Sequence, residues 1–191
     1  FSVLREDKVG PKVGKELQTD AILAVFFSLI VILVYLGFRF KFIFAFGAVL
    51  ALFHDVLISL GIFSIFYNLI PGLNLELDLT IVAAFLTLIG YSINDTVIVF
   101  DRVRETLKVH KSVDLTTLMN QSINKTMSRT ILTGGTTLLS VIVLLIFGGE
   151  VLRAFAFTLF FGIIIGTYSS IFVASAFVLE SVNRTKKRIE F

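Results

Sequence analysis

The run LTIVAAFLTLIGYSINDTVIVF occupies residues 79–100 and holds one charged side chain, Asp95. Crossing the hydrocarbon of a bilayer takes about 20 predominantly apolar residues in a helix. No water inside that layer can satisfy backbone N–H and C=O groups, so the run must be a helix or part of a closed barrel. Barrel strands are short segments of alternating polarity, and this run does not alternate. It predicts a membrane-spanning helix.

Four more apolar blocks flank it, at about 21–38, 42–66, 130–149 and 153–179. Across 191 residues the chain is 56% hydrophobic, with a mean hydropathy of +0.93. Soluble domains are roughly 45–50% apolar and scatter those residues, so a soluble fold is excluded. Two prolines and 21 phenylalanines suit continuous helices facing lipid. With no cysteine, thiolate chemistry, disulfides and cysteine-bound metals are excluded. The expected fold is all-α, a polytopic bundle of five spans.

The formal charge of +3 says less than where the charges fall. Arg39 and Lys41 lie between spans one and two; Arg102, Arg104, Lys108, Lys111, Lys125 and Arg129 lie in or beside the link between spans three and four. Arg184, Lys186, Lys187 and Arg188 belong to the basic tail, residues 183–191. The loops of opposite parity, 67–78 and 150–153, carry only Arg153 as a cation. Basic loops stay in the cytoplasm, so the tail is expected inside and the N-terminal end outside. Within the cytoplasmic link, about 101–129, Leu115, Leu118, Met119, Ile123 and Met127 recur at helical spacing after a cap at Ser112 or Asp114. They predict a short amphipathic helix along the membrane surface; a solvated connector is the plainer reading.

Charged groups inside spans cost about 2.5–3.5 kcal/mol each on insertion scales, so they point to function. The set is small: His54 and Asp55 in span two, Asp95 in span three, Arg129 at the start of span four. Helical spacing groups Thr87, Tyr91, Asn94 and Asp95 on one face. A carboxyl there is pulled two ways, since loss of water favours its neutral form and a nearby cation its charged form. Span four offers a matching stripe of Thr126, Arg129, Thr130, Thr133, Thr136, Thr137 and Ser140. Asp95 and Arg129 are expected to meet at similar depth. This set reads either as an ion path or as packing glue, because hydroxyls and Asp–Arg pairs also clamp membrane helices together.

Ala51, Asp55 and Ser59 share a face, which turns Asp55 inward as a second polar site with His54, either a proton carrier or a hydrogen-bonding partner for another helix. No nucleophile stands beside them in sequence, so no enzyme reading has support. Gly162, Gly166, Ser170 and Ala174 form a small-residue ladder suited to close helix packing. Gly134-Gly135 and Gly148-Gly149 suggest bends or tight contacts.

The run from Ala84 to Glu105, centred on Gly90-Tyr91-Ser92-Ile93-Asn94-Asp95-Thr96, resembles the signature of SecF-type members of the SecD/SecF protein-export family. Further pieces resemble the family in the same order: Val9-Gly10-Pro11 with Gly14, Arg39-Phe40, His54-Asp55-Val56, Arg129-Thr130 with Thr133 and Thr136-Thr137, Gly148-Gly149 with Arg153-Ala154-Phe155-Ala156, and Gly166-Thr167-Tyr168-Ser169-Ser170. The resemblance implies one pseudosymmetric half of a transporter of the resistance-nodulation-division type. It also implies a SecD partner in the bacterial inner membrane, the SecYEG translocon, and secretory preproteins as clients. Protons are the coupling ion it implies, with sodium as the alternative; it implies Asp95 as the proton-handling carboxylate and Arg129 as its coupled arginine, and with Asn94, Thr96 and Tyr91 of span three and Thr133 and Thr137 of span four these make up the expected proton pathway. The family has a further span and an outer domain upstream, so the chain reads as a fragment, with 1–19 the trailing end of that domain and 20–182 the transmembrane domain. No bound cofactor, metal or nucleic acid is expected. A small-molecule or lipid exporter of the same superfamily, and a structural scaffold of the translocon, are the rival readings.

Overall fold

A computed structural model describes residues 11–67, 69, 73, 75, 78–109 and 113–185. These residues form five helices: α1 (Pro11–Arg39), α2 (Phe42–Phe66), α3 (Leu79–Val109), α4 (Leu115–Phe147) and α5 (Gly149–Thr185). All five are long and apolar enough to cross a membrane. No strand occurs among the described residues.

Helix α5 is the hub, packing on α2, α3 and α4. Half of its most apolar 18-residue stretch is buried, against 11% for α1, which leans on α2 and α3 only. Small residues explain the centre. A Cβ at Gly47 of α2 would lie 3.0 Å from Val178 Cγ2 and 3.4 Å from the Ala174 carbonyl on α5. At Gly162 it would overlap the Leu88 side chain of α3, and at Gly166 it would lie 2.9 Å from Ser92 Cβ. Lipid tails are as apolar as leucine, so close backbone approach and van der Waals packing bring such helices together. Phe44 of α2, wholly buried, meets Phe100 of α3 edge-on at 5.1 Å between ring centroids.

The turns between α1 and α2 and between α4 and α5 are short. Between α1 and α2, the Arg39 guanidinium pairs with Asp101 at 2.7 Å and lies over the Phe40 ring, pinning the turn to the far end of α3. Between α4 and α5, the Gly148 N–H caps the Leu144 carbonyl at 2.7 Å, and Gly149 turns the chain with φ of 70°. That left-handed conformation suits glycine, which has no Cβ to clash.

Three expectations about element limits change. Helix α1 starts at Pro11, so much of the stretch assigned to 1–19 is helix continuous with the first span; residues 1–10 lie outside the described residues. Helix α3 runs on to Val109 rather than ending near 100. The amphipathic segment is helical, but it forms the opening turns of α4 instead of a separate surface helix. No glycine or proline interrupts 115–133, and Asp114 caps the start by accepting from Thr116 N–H at 3.1 Å. The apolar side of this segment covers protein: Leu118 and Met119 are buried, and the Ser122 hydroxyl meets Thr106 of α3 at 3.5 Å. The alternative cap, Ser112, and the tail from 186 onward lie outside the described residues.

Candidate functional site

Helix α3 sorts its polar groups onto three sides. Thr87, Gly90 and Asn94 point out of the bundle; Ser92 and Thr96 are buried toward α5; Asp95, also buried, and half-buried Tyr91 belong to the side near α4. Asn94 and Thr96, grouped with Asp95 by sequence, therefore face different neighbours. Thr96 donates its hydroxyl to Ser170 on α5 at 2.8 Å.

Asp95 is 1% exposed, and its Oδ2 has no hydrogen-bond partner. Arg129 acts on it through its charge, yet no ion pair within 4.0 Å joins them. The expected meeting of the two is thus an electrostatic approach and not a contact. Gly134 lies beside the Tyr91 hydroxyl, since a Cβ there would be 3.8 Å from it. One turn further along each antiparallel helix, the same register brings Thr130 to the level of Asp95. Tyr91 OH and Thr130 Oγ1 are, like Asp95 Oδ2, buried without a hydrogen-bond partner. Thr137 approaches the Tyr91 hydroxyl from α4 without closing a bond of normal geometry. A carboxyl and two hydroxyls thus gather at the α3–α4 contact.

The rest of the α4 ridge is differently occupied. Thr133 donates to the Arg129 carbonyl at 2.7 Å, Thr136 to Leu132 at 2.9 Å, Thr137 to Thr133 at 2.8 Å and Ser140 to Thr136 at 3.2 Å. Such back-bonding uses up the hydroxyl proton on the helix itself. These residues present lone pairs, and among the hydroxyls of the ridge only Thr130 is buried with no hydrogen-bond partner. Spacing cannot separate Thr130 from its neighbours, because it does not show which hydroxyls bond back to their own helix.

Asp55 is better connected than Asp95. Fully buried, it accepts the Ser92 hydroxyl at 2.6 Å on Oδ2, and His54 Nδ1 lies 3.2 Å from Oδ1. Ser169 of α5 also faces it. Ser170 donates to the Gly166 carbonyl at 2.8 Å and approaches the Ser92 carbonyl at 3.2 Å. A polar core joining α2, α3 and α5 results; spacing does not single out its hub, Ser92, because a lone serine in a span is an ordinary packing residue.

The fold and the site define a multi-pass helical membrane protein with two buried acidic centres between its spans. The model of the family described as "Protein export membrane protein SecD/SecF, C-terminal" matches residues 1–184. The chain belongs to this family and is a multi-pass protein of the inner membrane. It is 54% identical over 186 residues to the protein translocase subunit SecF of Rhodothermus marinus, covering 97% of this chain and 60% of that protein. To the subunit of that name in Koribacter versatilis it is 53% identical over 175 residues, covering 92% of this chain and 42% of the relative. The crystal structure of SecDF, a translocon-associated membrane protein from Thermus thermophilus, matches with a TM-score of 0.81 at 46% identity, over 92% of this chain and 24% of that one. The chain therefore spans between 24% and 60% of the length of these relatives.

Proposed function

We propose that this chain is the membrane portion of a SecF-type subunit, which uses an ion gradient to promote export of secretory preproteins, and that Asp95 carries the ion. The observation that carries this reading is a carboxyl 1% exposed within a span, with an unbonded oxygen, inside the field of Arg129. A group so placed can take up a proton, lose its attraction to the arginine, and restore it on release. Thr130 and Tyr91 flank the path, and Thr133 and Thr137 add acceptor lone pairs. A potential of 100 mV supplies about 2.3 kcal/mol per charge moved, enough to bias a two-state bundle. Protons are the coupling ion in this reading, with sodium as the alternative.

The partners follow from what the bundle leaves uncovered. Asn94 on α3 and Arg129, Thr136 and Ser140 on α4 are exposed on this chain, and polar groups at membrane depth seek protein or water. SecD is the proposed cover, with the SecYEG translocon and preproteins beyond it. The basic loops set the proposed orientation, N-terminal end outside and C-terminal tail in the cytoplasm.

The test is preprotein export in vesicles carrying the full-length subunit with SecD, with and without a proton gradient. Asp95→Asn is expected to assemble normally and to lose the gradient-dependent part. Gradient stimulation at the wild-type level in that variant would remove Asp95 from the ion path.

A further inference from the structure

Ser92 stands one helical turn before Asp95 on α3, and every polar atom of its side chain and carbonyl is engaged by another group. Its hydroxyl donates to Asp55 on α2 at 2.6 Å, while its carbonyl is approached by Ser170 of α5 at 3.2 Å and by Thr96 at 3.4 Å. Gly166 of α5 leaves no room behind it, since a Cβ there would sit 2.9 Å from Ser92 Cβ and 3.0 Å from its Oγ. α3 is therefore gripped at this residue from two sides. Asp95, by contrast, has an oxygen that nothing holds. Its distance from Arg129 depends on how α3 is rotated, and rotation is what the Ser92 grip restrains.

We infer that Asp55 is a positioning residue for Asp95, acting through the Ser92 hydroxyl to fix the rotation of α3 against α4. The inference rests on the proposed ion-carrying role of Asp95. The groups facing Asp55 are His54 from α2, Ser92 from α3 and Ser169 from α5, so among the described residues His54 is the one titratable neighbour. Breaking the Asp55–Ser92 bond frees α3 to turn by a fraction of its step. Coulomb attraction varies inversely with separation, so the balance between the charged and neutral forms of Asp95 moves with it. Asp55 itself touches neither Asp95 nor Arg129.

The test uses the full-length subunit with SecD in proteoliposomes, reading gradient-stimulated export as a function of pH. Ser92→Ala and Asp55→Ala are each expected to displace the midpoint by about one pH unit, tenfold in proton concentration, in the same direction. The double variant should move no further than either single one. Asp55→Asn, whose amide oxygen still accepts from Ser92, should keep the wild-type midpoint. A merely structural Asp55 gives another pattern: less assembled complex with an unmoved midpoint, or shifts that add, and either overturns the inference. Should Asp55→Ala fail to assemble, Ser92→Ala decides alone, because it deletes one oxygen and introduces a strong helix former. Asp95→Asn run alongside separates the two levels. If it abolishes gradient stimulation while Ser92→Ala is silent, only the positioning role falls; if it leaves stimulation intact, the ion-carrying reading falls and the inference with it.

Discussion

Replacing Gly166 by alanine tests the packing at the centre of the bundle. The new Cβ would lie 2.9 Å from Ser92 Cβ, 3.0 Å from Ser92 Oγ and 3.5 Å from Ser92 Cα. Carbon atoms rest about 3.5–4.0 Å apart, so α3 and α5 must separate by roughly 0.6–1 Å. Rotating Ser92 does not help, because its Cβ is fixed to the α3 backbone and turning Oγ away breaks the 2.6 Å bond to Asp55. Overpacking of this kind costs about 1–3 kcal/mol. Losing the Ser92–Asp55 and Ser170–Ser92 bonds adds about 0.6 kcal/mol for each at the average measured between membrane helices. The gain in helix propensity returns about 0.5–1 kcal/mol. The net expectation is a loss of about 1–4 kcal/mol. Gly61 is the control, since a Cβ there meets nothing within 4 Å, and Gly61→Ala should be neutral or stabilising by up to about 1 kcal/mol. Detergent-driven unfolding of the full-length subunit in bicelles, read by pulse proteolysis, measures both. Equal stability of the two variants would refute the claim that α5 presses on Ser92.

Two further outcomes concern the helix ends. Asp114→Ala removes the cap on Thr116 N–H and should cost about 1 kcal/mol, visible as faster hydrogen exchange confined to the first turn of α4. Asp101→Asn breaks the 2.7 Å pair with Arg39, whose side chains are 39% and 41% exposed; its double-mutant coupling with Arg39→Gln should stay below about 1 kcal/mol and shrink further in salt.

Much of the fold is legible in the residues. Four of the five apolar blocks named from sequence fall within one helix each, and the fifth, about 130–149, overruns the end of α4 at Phe147 by the Gly148-Gly149 turn; the demand for about 20 apolar residues is a property of the bilayer and leaves its mark on composition. The ends are less legible. α3 and α4 continue beyond the hydrocarbon as a packed pair, and Leu118 and Met119 bury against protein. An apolar stripe at helical spacing looks alike whether a membrane surface or a neighbouring helix covers it.

The candidate site divides in the same manner. Asp95, Asp55 and Arg129 stand out because charges are costly in a membrane and therefore rare there. Their partners do not stand out. Asp95 and Arg129 share a region without touching, and Asp55 reaches a serine 37 positions away that pattern alone treats as filler. The hydroxyls of α4 look equivalent in a row, yet most are bonded to their own helix and Thr130 is not.

By itself the sequence determined that the chain is a bundle of membrane helices and which few residues carry charge into it, since hydropathy and charge are local properties that each segment expresses alone. Only the tertiary structure decided which helix faces which, that α5 grips α3 at Ser92, and that Asp55 is bonded while an oxygen of Asp95 is left open. Those facts depend on the rotation and register of helices packed a few ångströms apart, where one rotamer decides whether a hydrogen bond forms.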